Sequence, residues 1–417
     1  MRKLLGFAEH AFAVVAVLIY SGGPLTVIIS DGASEGDGRG PVSSDTSLIQ
    51  LICMLIYAVT CFLLVARWKN VVYLLSKDRW IWALVGMAVL SVLWSAAPPM
   101  TITRDVALIG TTLFGIYLAT HYSMKQQLQL LGWMFGVAVV LSLLFAVALP
   151  KYGVMGGIHA GAWRGIWTHK NGLGAMMILS SIVFFLLANS TKKNRWVLWC
   201  GFSVSLFLLL RSTSTTSLLN FANVFAVVVV ARIFRWRYDI MIPAILAIAT
   251  VGGSLYVWFT DNAEILLGSV GKDATLTGRT ELWPVVWEMI WKRPWLGYGY
   301  GAFWLGEDGE SAYVWRAVGW QPPNSHKGFL DVYLQLGLLG GAIFWLGFGI
   351  NVLKSLVWVR LSRTSETIWP VTFMLFTVLA NVAESTLLLQ NNLFWVLYVA
   401  VAFTLLLPPE EQKKVMD

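Results

Sequence analysis

Apolar stretches of roughly twenty residues recur along this chain, and that repetition leaves few folds open, because a run of that kind crosses a bilayer only as a helix that satisfies its own backbone. The stretches lie near 10–28, 48–66, 80–96, 105–121, 129–149, 171–189, 196–211, 217–234, 240–259, 333–355, 367–386 and 392–408. Hydrophobic residues make up 57% of the chain and charged residues 12%. That leaves too few polar side chains to cover a water-soluble globule. The expectation is an all-α polytopic membrane protein of about twelve transmembrane helices, with 1–417 a single transmembrane domain.

Charge sets the orientation. With Arg2 and Lys3 in the cytoplasm, connections after every second span are also cytoplasmic, and they hold most of the 30 Lys and Arg, among them Arg67, Lys125, Lys192, Arg235, Arg360 and Lys413. Both termini are then inside. The formal net charge of +8 reflects this bias and contact with anionic lipid. No nucleic-acid motif accompanies it, so no nucleic-acid partner is expected. The first apolar segment, preceded by two cations, also resembles a secretory signal, but no small-residue cleavage site follows it. Cys53, Cys61 and Cys200 fall inside spans and read as packing residues, with no disulfide, metal site or cofactor expected.

The outer connections are then 31–47, 97–104, 150–170, 212–216, 260–332 and 387–391. The first, rich in Gly, Ser and Asp, reads as a flexible cap. The connection 260–332 is too long to lack structure of its own. It is expected to be a long periplasmic loop carrying short interfacial helices, with Trp283, Trp287 and Trp291 on one helix face at headgroup depth. Pro294 stops that helix, and Gly297, Gly299 and Gly301 allow an irregular turn.

Polar groups gather on this same side. They are Arg164, His169, Lys170 and Asn171 in WRGIWTHKNGLG; Arg211 through Ser217 in RSTSTTS; Arg279 and Glu281 in GRTELW; His326, Lys327 and Asp331 in NSHKGFLD; and Glu384 in NVAEST. Each stands at the outer end of a span or in an outer loop, so together they can line one outward-facing site. An ionisable residue at membrane depth is costly and is read as functional until a structural role explains it; here that bland role is an ion pair or a contact with lipid phosphate. Arginine and lysine with few carboxylates suit a diphosphate, which guanidinium grips in a bidentate fork. A histidine beside them can take a proton from a hydroxyl near neutral pH. No acidic pair or His cluster with metal-ligand spacing is present.

WRGIWTHKNGLG, RSTSTTSLL, TLTGRTELW, RPWLGYGYGAFW, SHKGFLDVYLQLGLLGG and NVAEST together resemble the O-antigen ligase and polymerase superfamily, which includes Wzy polymerases and WaaL ligases. The pattern is most similar to ExoQ-type exopolysaccharide polymerases. Motifs match over roughly 150–400, and the first 150 residues match only as hydrophobic spans. The resemblance implies a GT-C-like membrane glycosyltransferase that takes glycans from undecaprenyl diphosphate and inverts the anomeric carbon without metal. By the same resemblance Arg164 and Arg279 look like the essential arginines, His326 like the loop histidine and Glu384 like the acidic residue near the penultimate helix end.

Two departures stand out. Many relatives carry Asn close after the histidine, where this chain has Lys327 and Gly328, so Asn324 is the candidate partner for the acceptor sugar. Many also carry a cation within the serines of the fourth outer connection, where only Arg211 stands beside them here.

The expected enzyme is thus a polysaccharide polymerase of the bacterial inner membrane, working at the periplasmic face. Arg164, Arg279, Arg211 and Lys170 are expected to hold the diphosphate, His326 and Glu384 to act in catalysis, and His169, Asn171, Glu281 and Asn324 to serve the acceptor or support the site. Expected partners are the lipid-linked glycan, membrane lipid and a chain-length-regulating protein. A ligase passing the same glycan to lipid A core is the first alternative. A transporter of the lipid-linked unit is the second, although the middles of the spans are nearly free of charge.

Overall fold

The computed structural model describes residues 2–33, 46–75, 77–261 and 279–406. Most of the flexible cap expected at 31–47 and the first part of the 260–332 connection fall outside them. Seventeen α-helices are described: α1 (Arg2–Tyr20), α2 (Leu25–Ile29), α3 (Ser47–Ala66), α4 (Trp68–Leu75), α5 (Trp80–Leu90), α6 (Pro98–His121), α7 (Met124–Ala148), α8 (Pro150–Gly153), α9 (Lys170–Ser190), α10 (Arg195–Arg211), α11 (Thr215–Val230), α12 (Tyr238–Asp261), α13 (Arg279–Lys292), α14 (Ser311–Val318), α15 (Gly328–Leu361), α16 (Trp369–Ala383) and α17 (Leu393–Thr404). The chain is an all-α polytopic membrane protein. Eight of its described helices are long and apolar enough to span a bilayer, and Trp80–Leu93, Tyr238–Ser254 and Leu393–Thr404 are shorter apolar helices.

Two ends of the bundle are told apart by their contacts. At one, the N termini of α9, α11, α13 and α15 meet the C terminus of α16. At the other, Arg235 donates to the carbonyls of Val359 at 3.2 Å, Arg363 at 3.2 Å and Thr364 at 2.8 Å. The first helix starts and ends earlier than its apolar run suggests. Gly22, Gly23 and Pro24 stop it after Tyr20, and the remaining apolar residues form α2. Conversely, α6 begins seven residues before the apolar window, because its polar first turns dock on the loop after α13. Thr101 Oγ1 donates to the Tyr300 carbonyl at 2.9 Å and Arg104 Nη1 to that of Gly301 at 2.6 Å.

The segment entering α15 has a core of its own, made by Leu282, Val286, Met289, Ile290, Tyr298, Phe303, Val314, Leu330 and Leu334. It is locked to α15 through a break in that helix. Gly337 stands at φ 64°, ψ −167°, outside the helical region. The break frees the carbonyls of Leu334 and Gln335, which accept from the N–H groups of Tyr298 at 2.8 Å and Gly299 at 3.0 Å. In return Leu338 donates to Pro294 at 2.7 Å. The WLGYGYG turn therefore completes the backbone bonding of a kinked helix. A side chain at Gly337 would collide with the Trp295 carbonyl group, with Cβ only 2.3 Å away.

Candidate functional site

Helix starts build the site. His169 caps α9, its Nδ1 accepting from the Asn171 N–H at 3.2 Å. Ser214 caps α11, accepting from the Ser217 N–H at 3.3 Å. These caps place Asn171 and Ser214 side by side, and the Ser214 hydroxyl donates to Asn171 Oδ1 at 2.9 Å. Asn171 Nδ2 then donates to Glu384 Oε1 at 2.8 Å. The same Glu384 oxygen lies 3.8 Å from Arg279 Nη2 at the first position of α13. A continuous polar chain thus runs Ser214, Asn171, Glu384, Arg279 across four helices. Helix N termini carry partial positive charge, so this end of the bundle favours an anion beyond what its side chains contribute.

His326 sits in the short segment before α15, half-buried, with its ring stacked 6.0 Å from that of Trp320. Its backbone is left-handed, at φ 51°, and its N–H donates to Asn324 Oδ1 at 2.9 Å. Burial pushes the imidazole down to about 4, and the Arg279 guanidinium adds to the effect. The ring is therefore neutral throughout the neutral pH range. Gly328 donates its N–H to the Glu384 carbonyl at 3.0 Å, which ties the histidine segment to the polar chain.

The other expected site residues make contacts of their own. Arg164 is 1% exposed. Its Nε donates to the Tyr152 carbonyl at 2.7 Å, Nη2 to Lys151 at 2.9 Å and Nη1 to Thr168 at 3.4 Å. Instead of facing outward, this arginine ties the ends of its own connection together. Arg211 is exposed and lies over the Trp163 ring at 4.8 Å. Lys170 is partly exposed at the start of α9, and Glu281 is exposed one turn into α13. Trp283, partly buried, is tied to the segment before α15. Its indole N–H donates to the Ser325 carbonyl at 3.1 Å, and Lys327 Nζ lies 4.6 Å from its ring. Trp287 and Trp291 are exposed, at 40% and 64%.

Sequence reasoning did not single out Asn381, which holds the turn that presents Glu384. Asn381 Oδ1 accepts from the N–H and hydroxyl of Thr386, at 2.8 and 3.1 Å, and from the Leu387 N–H at 3.1 Å. An amide inside an otherwise apolar helix end was the available signal. Among the described residues, no group of three or more His, Cys, Asp or Glu side chains is placed to hold a metal ion.

With this geometry in view, residues 200–345 match the family model described as O-antigen ligase. The chain is also 26% identical over 304 residues to the exopolysaccharide production protein ExoQ of Rhizobium meliloti (strain 1021), covering 70% of this chain and 68% of that protein. It is a membrane enzyme of the polymerase or ligase type. The O-antigen ligase match includes Arg211, Ser214, Arg279 and His326. Asn171 and Glu384, which complete the polar chain, lie on either side of it in sequence.

Proposed function

We propose that this O-antigen ligase-type protein is a bacterial polysaccharide polymerase. It transfers a glycan from undecaprenyl diphosphate to a hydroxyl of a second lipid-linked repeat unit, at the periplasmic face of the inner membrane. In this reading it has a GT-C-like organisation and no need for metal, and a chain-length-regulating protein is its natural partner. The observation that carries the reading is the placement of Arg279 and a neutral His326 at one end of a bundle where four helices begin.

The acceptor oxygen attacks the anomeric carbon from the face opposite the diphosphate, which inverts that carbon. The C1–O bond to the diphosphate breaks with its electron pair leaving on phosphate, and the hydroxyl proton passes to the His326 imidazole. Arg279 meets the negative charge that grows on the leaving group, an electrostatic role of the kind that contributes most in such sites. Lys170 and Arg211 flank it. Glu384 holds Arg279 and Asn171 in register until the diphosphate competes for the guanidinium. Asn171 and Asn324 offer hydrogen bonds to sugar hydroxyls, with His169 and Glu281 at the margin. Arg164, expected as a second diphosphate ligand, is assigned instead to holding the connection that delivers Lys170 and Asn171.

A low imidazole pKa makes a weak base, so the bound state matters. A diphosphate on Arg279 cancels the positive charge that bears on His326 and raises its proton affinity as the reactants assemble. A ligase acting on lipid A core would use the same donor site. The exopolysaccharide role in the name of the Rhizobium relative favours the polymerase. Purified protein given one lipid-linked repeat unit as sole substrate decides between them. A ladder of lengths is expected, and product only after lipid A core is added would make it a ligase.

A further inference from the structure

Asp331 is only 5% exposed, one turn inside α15. A carboxylate so placed is costly and adds nothing to stability that an apolar residue could not supply. Its contacts explain why it is there. Oδ1 accepts from the Trp304 indole N–H at 2.8 Å and from the Ser325 N–H at 3.3 Å, and the Ser385 hydroxyl lies near the carboxylate without a hydrogen bond to it. Ser325 directly precedes His326, and Ser385 directly follows Glu384. One buried group therefore holds the neighbour of His326, stands near the neighbour of Glu384, and ties the histidine segment to the loop after α13.

Backbone geometry shows what this grip accomplishes. His326 holds a left-handed conformation at φ 51°, uncommon for a residue with a side chain and favoured here by the contacts around it. The preceding residue is held on both sides: the Ser325 N–H by Asp331 and the Ser325 carbonyl by Trp283 at 3.1 Å. Ser325 Oγ donates to the Lys327 carbonyl at 2.8 Å, so no regular helix bond is needed to hold the segment. From these contacts we infer that Asp331 is a positioning residue that sets the placement of the His326 ring relative to Glu384 and Arg279. The inference rests on the site reading given above and adds to it the element that keeps the site assembled.

The test uses the full-length purified protein, a single lipid-linked repeat unit as substrate, and initial rates of chain extension. Asp331→Ala is expected to lower kcat at least tenfold with KM changed less than threefold. Asp331→Asn, whose carbonyl oxygen can accept from both Trp304 and Ser325, is expected to recover most of that loss. A second readout separates positioning from general weakening. Loosening the segment exposes His326, so the acid limb of the kcat/KM profile should move up from about pH 4 toward the ordinary histidine range. Arg279, Lys327 and Glu384 keep their charges in this variant, and loss of the Asp331 carboxylate would by itself lower the imidazole, so a rise reports the ring leaving its burial and its place beside Arg279.

His326→Ala separates the two levels of argument. If it extends chains like wild type, the role given to histidine fails. If it is inactive while Asp331→Ala keeps wild-type kcat and acid limb, the positioning role is overturned. Should Asp331→Ala not fold, Trp304→Phe decides, because it removes one of the two bonds to Oδ1. A lowered kcat with a raised acid limb supports the inference, and wild-type values overturn it.

Discussion

Gly328 and Glu384 are joined main chain to main chain, the N–H of the first donating to the carbonyl of the second at 3.0 Å. This bond fastens the start of α15 to the end of α16, and it exists because Gly328 has no side chain. A Cβ there would lie 2.1 Å from Asn381 Oδ1, the atom that holds the Glu384 turn through three hydrogen bonds.

Gly328→Ala should therefore displace Asn381 and both segments of the site together. Overpacking of this kind costs about 1–3 kcal/mol. The expected result is a lower melting temperature in detergent and a larger fall in chain extension than in stability. Wild-type activity from this variant would show that the two segments need not be held at contact distance.

Arg279 and Glu384 face each other at 3.8 Å, with 16% and 36% of their side chains exposed. Arg279→Lys keeps the charge and loses the two-pronged grip, so a loss of about 10²–10³-fold in kcat is expected, the range for a lost transition-state donor. Glu384→Gln keeps an acceptor for Asn171 and should cost much less. Equal losses from both would give the carboxylate a chemical role beyond holding its neighbours.

How far these relationships can be read in advance depends on their kind. The spans are visible because hydrophobic length is local, and the polar clusters because charge is rare in such a chain. Convergence of Asn171, Ser214, Arg279, His326 and Glu384 at one end follows from counting spans. What cannot be read is direction within a motif. Arg164 and Arg279 stand in equally polar surroundings in sequence, yet the first is turned into the carbonyls of its own connection and the second toward Glu384. The role of WLGYGYG is hidden for a related reason: its glycines matter because a helix forty residues later breaks at Gly337.

Arg164→Ala tests that difference. Each buried carbonyl it leaves unsatisfied costs about 1–3 kcal/mol, so the variant is expected to melt lower or express poorly. The protein that does fold should show donor KM and kcat within a few-fold of wild type. A wild-type melting temperature with lost donor binding would restore Arg164 to the diphosphate site.

Orientation can be measured on two exposed positions, in a background lacking Cys53, Cys61 and Cys200. Ile158, at 81% exposure, lies in the connection before α9, and Arg363 lies just past α15 at the far end of the bundle. Ile158→Cys is expected to react with a membrane-impermeant thiol reagent in intact cells, and Arg363→Cys only after permeabilisation. The reverse pattern would put the proposed site on the cytoplasmic face.

Acidity gives the most specific test of His326. Its pKa of about 4, set first by burial and then by Arg279, lies below the unperturbed value near ~6.5. Neutral imidazole is the form that accepts the acceptor's proton, so activity is lost only as pH falls far enough to protonate it. The acid limb of kcat/KM, which reports the free enzyme, should therefore stand near 4. For kcat the limb should lie higher, because the bound diphosphate offsets the Arg279 charge that disfavours imidazolium. Arg279→Gln removes that charge from the free enzyme, so the kcat/KM limb of its residual activity should rise as well. His326→Ala should abolish the limb along with at least ~10²-fold of the rate, the smallest contribution usual for a general base. An acid limb that stays in place when His326 is replaced would assign the titration to another group and leave Arg279 to carry the reaction by charge alone.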